Sequence, residues 1–477
     1  MPEPRATVVG SGPNGLCAAI RLAQAGLSVQ VLEAADEPGG GVRSGPITES
    51  GFIQDHCSSI HPMAMSSPYL SQLPLSDHGL EWVQPPVPCA HPLDDRAAVL
   101  LHRSVDDTAA ALGPDAARYR RWMGPLVERW EDLCGDALAP LGWPAHPMLL
   151  ARFGWSAFQP ARSLARRRFR GEAGRALFAG MAGHSVMPLD RRPSAAIGMM
   201  LQVAGHAVGW PLPRGGSGAL SAALISLLRS LGGEVHTGRR VDRLDALPEG
   251  PVLFDTSPQS MAQICGEALP SGYRRRLARF KHGPGLFKLD WALSEPIPWR
   301  DPAVAQAATV HLGGTLDEIH ISEKAAWEGT VAESPFVLLT QCSLFDTTRA
   351  PDGCHTAWAY CHVPAGSEHD ATEAILRQVE RFAPGFRDCI RSQTATNPRQ
   401  LQSYNANYIG GDVNGGAPTL GQLFTRPVAR IVPYRTPHPS IWICSASTPP
   451  GGGVHGMCGF HAAEDVLRRN RRLIPSI

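Results

Sequence analysis

Gly10, Gly12 and Gly15 follow the β-type run Arg5-Ala-Thr-Val-Val9, and Glu33 closes a second β-type run, Ser28-Val-Gln-Val-Leu32, about twenty residues further on. The G-x-G-x-x-G spacing suits phosphate chemistry. Gly10 allows a tight turn out of the strand, Gly12 lacks the Cβ that would obstruct a pyrophosphate, and Gly15, with Ala18 and Ala19, lets a helix lie close to the sheet. N–H groups at the start of that helix, at the positive end of its dipole, would face the phosphates. Glu33 would accept hydrogen bonds from ribose hydroxyls. With Gly26 as a C-cap, strand, turn, helix, strand and acid agree on a dinucleotide-binding unit.

A second glycine-rich turn stands near the other end. Ser440 to Ser447 reads as a buried strand running into Thr448-Pro-Pro-Gly-Gly-Gly-Val-His-Gly456, and a helix then extends to about Arg472, ending in Arg468, Arg469, Arg471 and Arg472. The repeated device suggests that the second turn completes the site the first one begins. Arg214-Gly-Gly-Ser-Gly218 could pass for another fingerprint, but Trp210 to Arg214 does not read as a strand, so no separate nicotinamide domain is expected.

The elements that must position these turns run along the whole chain. Gly51 to Cys57 reads as a strand re-entering the first domain, which the chain leaves between Pro62 and about Pro92. Val99 to His102 reads as a strand, followed by a helix capped by Ser104. Residues 115–134 form an amphipathic helix with Tyr119, Trp122, Leu126, Trp130 and Leu133 as core. Helical pattern continues over 171–205. Strands are expected at 233–237, 241–244 and 252–255, and β-type alternation over 284–294 and 335–363 points to an antiparallel sheet. A helix at about 368–382 precedes a loop-rich run to Pro433.

Composition narrows the function class. A chain of 477 residues with 43% hydrophobic content can bury the core of two or three domains, and a net charge of +1 gives no field to draw nucleic acid. The eleven cysteines show no C-x-x-C pair, which reads as reduced thiols in a cytoplasmic protein. Cys354, His355, Cys361 and His362 read as packing residues of a β-rich run, and no metal site is expected. No signal peptide and no membrane-spanning stretch is read. Arg162 to Arg175 is strongly basic. A solvated helix face is its simpler reading, and peripheral contact with an anionic membrane the other.

The chain resembles the flavin-dependent amine oxidase and phytoene desaturase superfamily, and within it bacterial relatives of the pyridine nucleotide-disulfide oxidoreductase domain-containing protein 2 group. The resemblance rests on Gly10 to Gly15, Glu33, Pro38-Gly-Gly-Gly41 with Arg43, Pro213 to Leu220, Pro450 to Gly456 with Gly459, Ala462 and Ala463, and the run from Asn397 through Asp412, Gln422, Arg426-Pro427 and Thr436-Pro437. It implies an α/β fold with a discontinuous Rossmann-type (GR2-like) FAD-binding domain, residues 1–65, 213–260 and 425–477. A substrate domain of antiparallel sheet plus helices would take 66–212 and 261–424, with a helical part at about 115–210 that would face a membrane only on the second reading of the basic stretch. It implies FAD, held by Gly10, Gly12, Pro13, Asn14, Gly15, Glu33, Ala34, Gly40, Gly41, Arg43, Val241, Gly453, Val454, His455 and Gly456, with Val241 at the adenine and Val454 to Gly456 at the pyrimidine end of the flavin. Ser445, His455 and Cys458 depart from the usual occupants of their positions.

The activity these readings imply is dehydrogenation, desaturation or oxidation of a mostly apolar small molecule, with hydride passing to flavin N5 and electrons onward to oxygen, a quinone or another carrier. His455 is the first candidate proton acceptor, with His61, His56 and His184 behind it. A reduced-flavin polyene isomerase and a non-enzymic binding protein like the GDP-dissociation inhibitors are the alternatives. The oligomeric state is not readable.

Overall fold

A computed structural model of the chain describes residues 5–470. Arg471 and Arg472, expected to end the last helix, lie outside the described residues. Five parallel strands form a sheet in the order Ile441–Ile443, Val252–Phe254, Arg5–Val9, Ser28–Leu32, Glu234–His236. The inner strands are largely apolar on both faces, as in a parallel sheet covered on both sides, while the edge strand Glu234–His236 is polar and partly exposed. The strand Arg5–Val9 sits at its centre, so the first glycine turn emerges where the order of connection reverses. The first helix, Pro13–Gln24, starts with proline at its first position, and Gly26 takes the left-handed conformation (φ +85) just past its end.

The last helix, Met457–Arg469, packs on the first. The two approach so closely that a Cβ on Gly459 would overlap the Asn14 carbonyl oxygen. Gly459 is therefore a contact residue between opposite ends of the chain.

A seven-stranded sheet takes the order Ile390–Thr396, Gly285–Leu293, His355–Val363, Val337–Thr340, Ala307–Leu312, Val87–Leu93, Arg96–Leu101. It is antiparallel except where Ala307–Leu312 runs parallel to Val87–Leu93. The sequence reading missed Val87–Leu93, whose Pro88 and Pro92 disguise a strand. Helices of the segment 116–207 cover one face, and Thr372–Phe382 packs under another part. Tyr119, Trp122, Leu126, Trp130 and Leu133 are buried, on two helices that break at Glu128–Arg129.

Several expected elements differ. Residues 241–243 form no strand, and Leu244–Ala246 is a single helical turn, because alternating charges with Arg240 and Arg243 paired to Asp242 and Asp245 leave no apolar face to bury. Leu212–Pro213 is a two-residue strand, but it pairs with Trp82–Val83 outside the five-stranded sheet. The Gly51–Cys57 strand shortens to Gln54–Asp55, and the strand before the second glycine turn to Ile441–Ile443. Among the described residues no helix is long and apolar enough to cross a membrane.

Candidate cofactor and substrate site

A single cavity of about 980 Å³ runs from the first glycine turn, past the second, to the face of the seven-stranded sheet. That is the upper end of the range for small-molecule sites, roughly 300–1,000 Å³. At one end Glu33 receives the Ser11 N–H (3.0 Å) and Ser11 hydroxyl (2.6 Å) on Oε2 and the Ala35 N–H on Oε1 (2.9 Å). Ser11 Oγ in turn accepts from the Gly39 N–H at 3.1 Å. One serine thus ties the ends of both strands to the Gly39–Gly41 cluster, a role the sequence reading did not assign. Gly40 reaches across to the first turn, and a Cβ on it would stand 3.0 Å from Gly12 Cα. Arg43 donates to the Gly40 carbonyl and lies over the Tyr404 ring at 4.2 Å.

The expected open row of N–H groups at the first helix is only partly open. Pro13 has no N–H, and the Gly15 N–H donates to Asp255 Oδ2 at 2.9 Å. A Cβ on Gly12 would meet that same oxygen at 2.6 Å, so Gly12 is small first of all for Asp255. Burial, opposed by the Gly15 and Gly12 N–H groups and reinforced by Glu33, raises the Asp255 carboxyl from 3.8 to about 7. With its pKa raised to about 7, the carboxyl is protonated below neutral pH, where it accepts the Gly15 N–H without a full charge to repel an incoming phosphate. The Asn14 side-chain oxygen is buried with no partner among the described residues, an acceptor awaiting a donor.

At the other end Pro450–His455 line the cavity, and Gly456, expected to bind the cofactor, stands behind them as the cap of the last helix. Gly456 is left-handed (φ +69), and a Cβ on it would overlap the Cys17 sulfur. Arg426 is buried behind the turn and donates to the carbonyls of Gly415 (3.1 Å), Ala446 (3.0 Å) and Ser447 (3.4 Å). Val241 lines the cavity from an irregular segment beside Arg239 and Arg240. Gly10, Pro13, Ala34, Gly41, Gly453 and Val454 line it as well.

The four candidate histidines separate by their partners. His455 is buried, and its Nδ1 accepts from the Met457 N–H at 3.0 Å. Burial, against the carbonyls of Gly451 and Gly452, lowers its pKa to about 4. It serves as the cap of the last helix, which occupies the ring nitrogen a proton acceptor would need. His61 Nε2 donates to Ser217 Oγ at 2.8 Å, since that hydroxyl itself donates to the Ser58 carbonyl. His61 Nδ1 is left buried without a partner among the described residues. His56 stacks on Tyr404 with centroids 4.5 Å apart. His184 Nε2 meets His311 Nε2 at 2.8 Å, and Trp210 and Met187 line the cavity beside it. Burial lowers His56 and His61 to about 4 and His184 to about 3, with Lys288, then Arg43, adding to the effect at His56.

A buried ionic network, unmarked by any sequence motif, fixes the wall between the two ends. Burial would raise the Asp55 carboxyl, but Arg349 at 3.0 Å and the hydroxyls of Ser44 and Ser59 hold it at about 2. Lys288 donates to the Asp55 carbonyl (3.0 Å) and to Asp290 (2.5 and 2.6 Å). These bonds anchor the segment from His56 to Met63 against the sheet. Alternating strands hid them, since Lys288 and Asp290 look like solvent-facing positions of an ordinary β pattern.

Residues 8–73 match the model of the NAD(P)-binding Rossmann-like domain family. The chain is 25% identical to the pyridine nucleotide-disulfide oxidoreductase domain-containing protein 2 of Mus musculus across 98% of this chain and 94% of that one. It is 26% identical to a phytoene dehydrogenase of Streptomyces griseus, over 81% of this chain and 77% of the relative. Its fold follows that of the cyclohexylamine oxidase of Brevibacterium oxydans with a TM-score of 0.59 and 15% identity, covering 99% of this chain and all of that one. In sequence the chain is similar to members of the FAD amine oxidase and phytoene desaturase superfamily, and its fold, a Rossmann-type domain joined through one cavity to a sheet-and-helix region, follows that of the cyclohexylamine oxidase.

Proposed function

We infer that the protein is an FAD-dependent dehydrogenase, desaturase or oxidase that takes a hydride from a C–H bond of a mostly apolar small molecule. The observation that carries this reading is the single cavity that joins the Glu33 end to an apolar chamber walled by Leu286, Leu338, Trp358, Met187, Met200 and Phe153. The residues present fit the cofactor. Glu33 offers carboxylate oxygens to ribose, Asp255 is held protonated up to about neutral pH beside the phosphate turn, and Gly451 to Gly453 bring no Cβ to the second turn. FAD, when bound, supplies a two-electron acceptor for hydride.

The chain's own groups do the rest. Arg426, a buried cation behind the second turn, favours negative charge at that end of the cavity, as does the dipole of the helix Met457–Arg469. The apolar chamber excludes water from the reacting C–H bond. His184 is the proton acceptor best placed for the apolar substrate: it lines the chamber, and among the described residues nothing hydrogen-bonds its Nδ1. Its lowered pKa keeps it neutral, and a weak base suffices for a substrate that has lost hydride and become strongly acidic. Electrons leave to oxygen, a quinone or another carrier.

The test is to purify the protein, identify its bound cofactor after denaturation, and titrate it anaerobically with apolar amines, alcohols and polyenes. Bound FAD whose absorbance bleaches with one class supports the reading and names the substrate. A colourless protein that takes up no FAD overturns it.

A further inference from the structure

The apolar surface left uncovered lies at the mouth of the cavity. The helix Pro147–Ala157 buries Leu149, Phe153, Ser156 and Ala157, yet its opposite stripe is apolar too. Met148 is 83% exposed and Trp155 80%, two turns apart with Ala151 and Arg152 between them. A helix on a water-facing surface ordinarily turns a polar face outward. The loop entering this helix exposes Leu141 and Trp143, the latter 92% bare, and both line the cavity. Across the opening the helix Leu420–Thr425 buries none of its residues, and its Phe424 stacks on Phe158 with ring centroids 6.3 Å apart. Leu141, Trp143 and Phe424 line the opening, Met148 and Trp155 continue the bare apolar surface on the other side of the helix, and large exposed apolar side chains gathered in this way mark an interaction surface.

Beside this rim the charge has one sign. Trp155 stands in a hollow with Arg118, Arg121, Arg152, Arg167 and Arg168, and its remaining walls, Trp122, Leu126 and Ser156, bring no carboxylate. Arg152 donates to the Arg121 carbonyl, and Arg168 donates to Ser156 Oγ and lies over the Trp122 ring. Burial, then the charges of Arg167 and Arg152, lower the pKa of Arg168, as expected of cations crowded together without an anion. Arg162 and Arg166, from the same basic stretch, are by contrast paired with Asp317 at 2.9 Å. The basic stretch therefore splits into a neutralised half and a half, Arg167 and Arg168, with no carboxylate partner among the described residues.

We propose that this face docks on an anionic lipid bilayer, with Leu141, Trp143, Met148 and Trp155 in the interface and the unpaired arginines on lipid phosphates, so that the cavity opens toward the acyl chains. Exposed Trp and Met beside guanidinium groups match the headgroup boundary, where rings sit half-immersed and cations meet phosphate. A second copy of the chain fits less well, because an isologous contact would lay the unpaired arginines close to their own copies. The docking stands apart from the redox reading, since vesicle binding requires only the rim.

The test is sedimentation of the full-length protein with phosphatidylcholine vesicles and with vesicles in which a third of the lipid is phosphatidylglycerol. Binding is expected only to the anionic vesicles, weakened by salt, with a blue shift of tryptophan emission. Trp143→Ser combined with Met148→Gln and Trp155→Ser should weaken partitioning roughly tenfold, and Arg118→Ser with Arg152→Ser by a similar factor. Protein that stays in the supernatant with anionic vesicles overturns the proposal, as does unchanged binding by either variant. A dimer in light scattering that the apolar variant dissolves would assign the face to a second copy instead.

Discussion

The two glycine turns share one plan and differ in what stands behind them. Each follows a strand of the same parallel sheet and opens a helix, and the two helices touch at Gly459 and Asn14. Behind the first turn is a carboxyl, Asp255, bonded to the Gly15 N–H. Behind the second is a guanidinium, Arg426, bonded to carbonyls of Gly415, Ala446 and Ser447. The comparison teaches that strand, turn and helix fix where a site lies, while one buried side chain sets its polarity. A carboxyl held protonated up to about neutral pH tolerates a phosphate at one end, and a fixed cation favours negative charge arriving at the other.

The sharpest way to break the comparison is to force the two turns apart. Gly459→Ala places a methyl against the backbone of Asn14, which cannot rotate away. The variant should lose at least about 3 kcal/mol of stability, beyond the usual overpacking cost because the obstacle is main chain. Urea unfolding checks this, and a variant within about 0.5 kcal/mol of wild type would show that the helices slide to accommodate it.

A smaller effect tests the carboxyl alone. Asp255 has its pKa raised from 3.8 to about 7, so the folded state binds a proton the unfolded chain has released. That contribution is fully present below about pH 4 and is lost as pH rises to about 7. Asp255→Asn should remove a decline in stability on the order of 2 kcal/mol across that window, since water reaching the cavity moderates the full shift. Urea midpoints at pH 5 and pH 8 for both proteins measure it, and identical differences in the two would mean Asp255 is ionised throughout.

How much of this was legible depended on whether a residue acts locally. Gly10, Gly12, Gly15 and Glu33 sit on one strand–helix–strand unit, so spacing alone disclosed them, and Ser104 as an N-cap was equally local. Asp255 and Arg426 gain their roles from contacts hundreds of residues away or through loops, and no periodicity marks such a partner. Lys288 and Asp290 were hidden by a strand pattern that predicts exposure where the cavity wall makes burial. Val241 was expected on a strand, but its charged neighbours pair with each other and leave it on a loop that still reaches the cavity. His455 was legible in place but not in role, because the bond from the Met457 N–H that turns it into a cap is a fact of three dimensions.

The smallest predicted effect brings the two turns into one measurement of opposite sign. Burial lowers His455 from 6.5 to about 4, so it is neutral in the folded protein where the unfolded chain would take a proton. Its contribution is present above pH 6.5 and is lost as pH falls toward 4, the reverse of Asp255 over nearly the same window. The other buried histidines, His61 and His184 among them, act in the direction of His455, so the informative quantity is each variant's departure from wild type. His455→Asn can still cap the helix Met457–Arg469 and should cost only about 1 kcal/mol at pH 8. Between pH 5 and pH 7 its stability should rise less steeply than wild type, and that of Asp255→Asn more steeply. Anaerobic reduction rates of the His455 variant should keep the wild-type pH profile, because a ring that stays neutral and capped takes no proton from substrate. A lost inflection in that profile would return His455 to the role of base and displace His184.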